Sequence, residues 1–110
     1  MTHGDIFTVS GGSDYAGKPR PAVVIQSDSF HTTASVAMCL VTSEDIGAIL
    51  FRVPLEPTPH NTLSRLSWIK VDNVVTMPRN KVGRSIGRLT SEQLRAVDAA
   101  LALFLGRGGE

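Results

Sequence analysis

Three short stretches of the sequence carry side chains that could bind or transfer a phosphate group. In the first, Arg20 stands between Pro19 and Pro21, directly before the apolar run 22–25. Each proline holds its own φ at about −65° and restricts the preceding residue to extended conformations. A guanidinium held in this way on a loop before a strand suits bidentate phosphate binding, although the same pattern fits an ordinary surface arginine.

The other two stretches lie at the end of one predicted strand and within another. Thr42 and Ser43 follow an apolar segment, where hydroxyls can donate to a phosphate oxygen or cap the loop backbone. Lys70 and Asp72 are two residues apart, so in a strand both point to the face that also carries Trp68. Such a pair could act as acid and base, or form a surface ion pair of little energetic value.

The sequence lacks the motifs of metal and cofactor chemistry. Cys39 is the single cysteine and lies in an apolar run, which is typical of a buried thiol. His3, His31 and His60 are scattered over predicted loops without metal-ligand spacing. No Walker loop, dinucleotide-binding glycine motif or Gly-x-Ser-x-Gly elbow occurs. An enzyme with this sequence is therefore expected to work with side chains alone, without a cofactor or a metal ion.

Length and charge narrow the class of protein further. The 110 residues are expected to form one domain, residues 1–110, with an ordinary apolar fraction of 42%. The net charge is only +1, but residues 65–88 carry six cations and one anion, which fits a polyanionic partner or a solvated face. No signal peptide or membrane-spanning apolar run is evident, so we expect a cytoplasmic protein.

The hydrophobic pattern predicts short strands followed by one helix. The expected strands are residues 5–9, 22–26, 34–41, 49–55, 66–71 and 82–86, with a turn at 72–75. Thr90 and Gln93 form a capping-box pattern, and Gly106 is expected to end the helix. Its apolar stripe is Leu94, Val97, Leu101, Phe104 and Leu105. This order predicts a mainly β fold with α, in which a C-terminal amphipathic helix packs on a small antiparallel barrel or strongly bent sheet.

Five motifs in order give the chain a resemblance to a known family. They are Gly4-Asp5-Ile6, Arg20-Pro21-Ala22-Val23-Val24-Ile25, Val41-Thr42-Ser43, Lys70-Val71-Asp72-Asn73-Val74-Val75-Thr76 and Gly87-Arg88-Leu89. Together they resemble the MazF/PemK-type toxins, the ribonuclease half of bacterial type II toxin–antitoxin pairs. Two positions depart from the family pattern: Lys70 stands where some members have Arg, and Val75 where many have Arg.

The resemblance implies a fold, an activity and partners. The fold would be a small SH3-like barrel with a C-terminal helix, assembled as a homodimer. The activity would be metal-independent cleavage of single-stranded RNA at short sequence motifs. In that reaction the 2′-hydroxyl attacks the neighbouring phosphorus and leaves a 2′,3′-cyclic phosphate and a 5′-hydroxyl end. A cognate antitoxin protein would neutralise this growth-arresting toxin.

The resemblance also implies roles for individual residues. Arg20 would clamp the scissile phosphate, and Thr42 would donate to a phosphate oxygen with help from Ser43. Asp72 would be the general base, oriented by Lys70, which could serve as the acid. Further RNA contacts are expected from Lys18, Trp68, Arg79, Lys81 and Arg84. The alternatives are a core or dimer-interface role for Trp68, and contact with the antitoxin for Arg79, Lys81 and Arg84.

Two alternatives share this fold. The first is a DNA gyrase poison of the CcdB type, a group that depends on a Trp-Gly-Ile-like end after its helix. This chain has no tryptophan after Trp68 and keeps both Arg20 and Thr42. The second alternative is a catalytically inactive binding module built on the same barrel.

Overall fold

Antiparallel strands form most of the molecule, and one α-helix follows them. The computed structural model describes residues 1–10, 19–44 and 52–107. In chain order the elements are β1 (Asp5–Ser10), β2 (Pro19–Val24), β3 (Ser35–Thr42), β4 (Arg52–Leu55), β5 (Ser67–Pro78), β6 (Val82–Arg88) and α1 (Ser91–Phe104). Short 3₁₀ helices lie at Asp28–Phe30 and Arg79–Lys81. Within these residues no helix has the length and apolar character needed to cross a membrane.

The six strands form one sheet that curls into a barrel. The strand order is β4-β5-β3-β2-β1-β6, and every pairing is antiparallel. Although β4 and β6 are the two edges of this order, the Arg88 N–H of β6 donates at 2.9 Å to the carbonyl of His60, which follows β4. The sheet therefore closes on itself, and the predicted mainly β fold with a C-terminal helix is confirmed.

Both faces of the central strands are buried. In β2 the consecutive residues Ala22, Val23 and Val24 are all buried, and they alternate between two clusters. The cluster on the helix side consists of Ile6, Val23, Cys39, Val41, Val53, Leu55, Ile69, Val71, Leu89, Val97 and Leu101. The cluster inside the barrel consists of Val9, Ala22, Val24, Val36, Met38 and Leu40. Continuous apolar runs in β2 and β3 are the sequence signature of this two-sided burial.

The prolines around Arg20 belong to a strand and shape its pairing. The expectation of a loop at Arg20 is wrong, because Arg20 lies in β2 and pairs with Val9 of β1. Proline cannot donate a ladder hydrogen bond. On its other side β2 pairs with β3 only from Ala22 onward, opposite Leu40. The ends of β2 and β3 are thus free of a shared ladder beside Arg20.

Strand β5 departs most from the sequence-based prediction. The turn expected at 72–75 is wrong, because β5 continues to Pro78. Its second half pairs with β3 through Val74 and Thr76, whose β-branched side chains favour extended backbone. The pairing of β3 with β5 contains a register shift, because Cys39 pairs with Val74 whereas Val41 pairs with Ile69. Residues 70–73 therefore bulge opposite a single residue of β3, as in an enlarged β-bulge.

The termini of α1 follow their sequence signals. Thr90 Oγ1 accepts the Gln93 N–H at 3.1 Å, and Gln93 Oε1 accepts the Thr90 N–H at 2.8 Å, so the predicted capping box is confirmed. Gly106 has φ of 73° and follows the last helical turn. Its N–H donates to Leu103, and the Arg107 N–H donates to Ala102, which together make a Schellman ending.

Candidate active site

One cavity of about 150 Å³ lies beside the ends of β2 and β3 that do not pair with each other. Its lining residues are Arg20, Pro21, Val41, Thr42, Ser43, Leu63, Ser64, Arg65 and Ser67. Arg20, Thr42 and Ser43, three of the residues singled out in the sequence, thus meet at one place. Ser64, Arg65 and Ser67 also line the cavity, although nothing in the sequence predicted this.

Arg20 and Thr42 reach this cavity because their strands share a register. Ala22 pairs with Leu40, and Arg20 and Thr42 each lie two residues farther toward the same end. Side chains two residues apart in a strand point to the same face, so both follow the face of Ala22 and Leu40. A guanidinium with five fixed donors beside a hydroxyl is a suitable pair for phosphate oxygens.

The hydroxyl of Thr42 is oriented by the chain that follows it. Its Oγ1 accepts the Glu44 backbone N–H at 3.1 Å. A threonine hydroxyl has one proton to donate and two acceptor lone pairs. Because the Glu44 N–H occupies one lone pair, the Oγ1 proton of Thr42 is left available to an oxygen in the cavity.

The predicted partnership of Lys70 with Asp72 is wrong, because Asp72 pairs with Arg52. Arg52 Nε lies 3.4 Å from Asp72 Oδ1, and its second nitrogen lies 3.5 Å from Oδ2. The two side chains are only 12% and 27% exposed. Arg52 stands directly opposite Lys70 in the β4–β5 ladder, so the Asp72 carboxylate relieves the repulsion of two facing cations.

Asp72, Lys70 and Trp68 lie beside the cavity and do not line it. Ser67, Ile69 and Val71 are buried, so the alternating residues Trp68 and Lys70 face away from the helix-side core. Trp68 is half-buried and pairs with Thr42 on one side and with Pro54 on the other. The face that carries the predicted acid and base therefore adjoins Thr42 through Trp68.

The structure places the cations that were predicted to contact RNA in two different regions. Arg79 donates from Nε to the Thr33 carbonyl and from a terminal nitrogen to the His31 carbonyl at 2.7 Å, at the Ser35 end of β3. Arg79 is thus engaged with a loop far from Thr42, at the opposite end of that strand. Its predicted RNA contact would therefore lie away from Thr42 and stays a prediction.

Lys81 and Arg84 lie nearer to Arg20. Val9 pairs with Arg20 on one side and with Val82 on the other, which separates Arg20 from Val82 by about 10 Å across two strand spacings. Lys81 and Arg84 flank Val82 and are exposed. Lys18, the remaining predicted RNA contact, lies outside the described residues.

Cys39 is excluded as a nucleophile by its surroundings. The side chain is fully buried in the helix-side core. Burial, with a smaller contribution from the negative charge of Asp72, raises the pKa of the Cys39 thiol to about 12. The thiol is therefore protonated at neutral pH and inert. In the part of the chain described, His, Cys, Asp and Glu side chains form no group of three or more that could hold a metal ion.

Arg52, Asn61 and Arg65 are the residues of interest that sequence reasoning did not assign. Arg52 becomes visible only through the pairing of β4 with β5. Asn61 is fully buried in a loop of turn-forming residues, where an exposed asparagine would be the usual expectation. Arg65 belongs to the basic stretch 65–88, but the spacing alone does not show that it lines one cavity with Arg20.

The comparisons with known proteins agree with this fold. Residues 2–105 match the family described as PemK-like, MazF-like toxin of type II toxin-antitoxin system. A Mycolicibacterium smegmatis protein named "Probable endoribonuclease MazF" is 42% identical over 109 residues, which cover 99% of this chain and 100% of the relative.

Two solved structures share the fold at low identity. One is an endoribonuclease in complex with its cognate antitoxin from a mycobacterial species, with a TM-score of 0.81 at 20% identity over 96% of this chain and 95% of that chain. The other is the Mycobacterium tuberculosis toxin MazF-mt6, with a TM-score of 0.78 at 23% identity over 93% of this chain and 96% of that chain. From the matched residues 2–105 and the 42% identical relative, this chain belongs to the PemK-like, MazF-like toxin family of type II toxin–antitoxin systems.

Proposed function

We propose that this chain is a sequence-specific endoribonuclease that cleaves single-stranded RNA and arrests growth until a cognate antitoxin binds it. The observation that carries the proposal is the convergence of Arg20, Thr42 and Ser43 on one cavity in a chain of this family. The 42% identical relative is named as a probable endoribonuclease, which supports the same activity.

The proposed reaction is an internal transfer at phosphorus. The 2′-oxygen of one ribose forms a bond to the adjacent phosphorus, and the bond to the 5′-oxygen breaks. The products carry a 2′,3′-cyclic phosphate and a 5′-hydroxyl. Negative charge grows on the non-bridging oxygens, where Arg20 donates charged hydrogen bonds and Thr42 donates its hydroxyl proton, with Ser43 assisting. Preorganised donors of this kind stabilise the transition state more than the ground state.

Two protons move in this reaction. Asp72 accepts the proton of the 2′-hydroxyl in the proposal, and Lys70 supplies a proton to the leaving 5′-oxygen. Both side chains belong to the β5 face that adjoins Thr42 through Trp68. No metal ion takes part in the proposed reaction.

The remaining contacts of the RNA follow from the surroundings of Arg20. Lys81, Arg84 and Lys18 bind backbone phosphates, and Trp68 offers a ring face on which a base can stack. In this proposal the protein acts as a homodimer in the cytoplasm. The solved complex of a related fold with its cognate antitoxin supports a protein antitoxin as the second partner.

The decisive experiment compares the wild type with Arg20→Ala on a long single-stranded RNA in the presence of EDTA. The wild type is expected to produce discrete cuts whose ends carry cyclic phosphate. Arg20→Ala is expected to lower the cleavage rate by about 10²–10³-fold, since one preorganised donor is lost.

The matched control is Arg95→Ala, which removes an exposed cation from α1 and should cleave like the wild type. Uncut RNA with the wild-type protein would overturn the proposal, and inhibition of DNA gyrase by the same preparation would assign the fold to the alternative toxin class. Equal cleavage by Arg20→Ala and the wild type would remove Arg20 from the site.

A further inference from the structure

The segment between β4 and β5 is organised by one buried asparagine. Asn61 is fully buried, and its side chain makes three hydrogen bonds to the backbone around it. Its Oδ1 accepts the Thr58 N–H at 3.0 Å and the Leu63 N–H at 3.1 Å, while its Nδ2 donates to the Glu56 carbonyl at 2.8 Å. These hydrogen bonds fix the conformation of residues 56–63. Because the bonds are buried, breaking one of them would leave polar groups without a partner and would cost free energy.

The same segment is fastened to the far edge of the sheet. The Arg88 N–H donates to the His60 carbonyl at 2.9 Å, and Thr62 Oγ1 donates to the Ile86 carbonyl at 2.7 Å. A Cβ at Gly87 would lie 2.0 Å from the His60 oxygen, so the two backbones are in close contact. The segment thus bridges β4 and β6 as a fixed part of the barrel.

Arg65 extends from this fixed segment into the cavity wall. Leu63, which is anchored by Asn61, packs against the helix-side core. Ser67 is only 4% exposed, and its hydroxyl donates to the Arg65 carbonyl at 3.2 Å. The backbone is therefore anchored both before and after Arg65, which lines the same cavity as Arg20.

The Arg65 guanidinium differs from those of three other arginines in the described part of the chain. Arg52, Arg79 and Arg88 each engage a carboxylate or a carbonyl. No such contact to the Arg65 guanidinium exists within residues 1–10, 19–44 and 52–107. An arginine on an anchored backbone, with its charge available at the cavity of Arg20, is prepared for an anion from outside the chain.

We infer that Arg65 is a phosphate-binding residue for the RNA, contacting a backbone phosphate next to the one held by Arg20 and Thr42. The inference rests on the proposed function of this site. Arg65 and Arg20 line the same cavity of about 150 Å³, so Arg20 can hold the scissile phosphate while the Arg65 guanidinium contacts a neighbouring one. Such a contact exists equally in the ground state and the transition state, so it strengthens binding and leaves the chemical step unchanged.

The test uses Arg65→Gln. Because Arg65 is exposed, the substitution is expected to leave the fold intact. Cut sites of the wild type are first mapped on a long RNA, and an oligonucleotide spanning one site is made with and without a 2′-O-methyl group at the scissile ribose. With the methylated probe, Arg65→Gln is expected to raise Kd roughly tenfold. The salt dependence should also weaken: the negative slope of log binding constant against log salt concentration should become shallower by about 0.7. The cleavage rate at saturating unmodified RNA should stay within about threefold of the wild type.

Two controls accompany this test. Arg65→Lys keeps a point charge and should restore most of the salt slope, whereas Arg95→Gln removes an equal charge on α1 and should bind like the wild type. A wild-type salt slope for Arg65→Gln would overturn the inference, as would a large loss in the saturated rate. A wild-type protein that cuts no RNA would instead overturn the proposed function, so the two failures are distinguishable.

Discussion

At the scale of single residues, the site depends on how each polar side chain is already occupied. Thr42 accepts a backbone N–H and is left with a proton to donate. Asp72 is engaged with Arg52, although sequence spacing paired it with Lys70. The role of Asp72 as general base therefore competes with a purely structural role in which it neutralises Arg52.

Asp72→Asn and Arg52→Gln distinguish these two roles. Each substitution breaks the ion pair, so both should lower the free energy of unfolding by similar amounts. Asp72→Asn alone removes a proton acceptor and should lower the saturated cleavage rate by about 10²–10⁴-fold. Arg52→Gln should lose less than about tenfold, as expected for a group that only positions the carboxylate. Equal losses of cleavage in the two variants would show that Asp72 acts through its ion pair and not as a base.

At the scale of elements, the cavity exists because neighbouring elements do not pair. The prolines of β2 stop the ladder to β3 at Ala22, and the 70–73 bulge re-aims β5 near the same end. The segment 56–66 between β4 and β5 completes the wall of the cavity and contributes Arg65 to its lining. Its position depends on the close approach of Gly87 to His60.

Gly87→Ala tests this dependence. Gly87 has φ of 148°, and an added Cβ would collide with the His60 carbonyl. We expect a loss of roughly 2 kcal/mol in the free energy of unfolding, measured by urea titration, and weaker binding of the methylated RNA probe.

The control for lost stability is Thr90→Ala. It removes the N-cap of α1 and should cost about 1 kcal/mol. Because α1 lies away from the cavity lining, this variant should bind the probe with the wild-type Kd when both are folded. Wild-type RNA binding by Gly87→Ala would show that the position of the 56–66 segment does not govern the site.

At the scale of the whole molecule, two apolar clusters on opposite sheet faces stabilise the barrel, and Cys39 lies in the one that α1 covers. Burial, aided by the charge of Asp72, raises the pKa of this thiol from 9.0 to about 12 in the folded state. The unfolded chain ionises its thiol near the ordinary pKa. Between these two pH values the unfolded state binds fewer protons, so stability falls as pH rises.

The contribution of Cys39 should therefore be fully present below about pH 9 and lost progressively toward about pH 12. Urea unfolding at pH 8, 10 and 11 should show a steeper decline for the wild type than for Cys39→Ala, with a difference in slope of up to about 1.4 kcal/mol per pH unit. Other titrating groups affect both proteins alike. Parallel declines in the two proteins would show that the thiol is not protected by the fold.

The sequence by itself determined the elements whose signals are local. Apolar runs marked the strands, and the unbroken run in β2 also marked its burial on both faces. The pair Thr90 and Gln93 marked the start of α1, because capping depends on residues three apart. The prolines around Arg20 and the motif ending at Ser43 also marked the two strand ends that form the cavity. The expectation of residues 49–55 as a strand is confirmed only for Arg52–Leu55, since residues 45–51 lie outside the described part.

Only the tertiary structure decided which distant groups meet. The continuation of β5 to Pro78 depends on pairing with β3, and the Arg52–Asp72 contact depends on the diagonal of the β4–β5 ladder. Arg65 reaches the cavity of Arg20 because Asn61 and Gly87 hold the segment that connects the two edges of the sheet. Register and loop closure join residues that are far apart in sequence, and their energies come from burial and hydrogen bonds that no local pattern encodes.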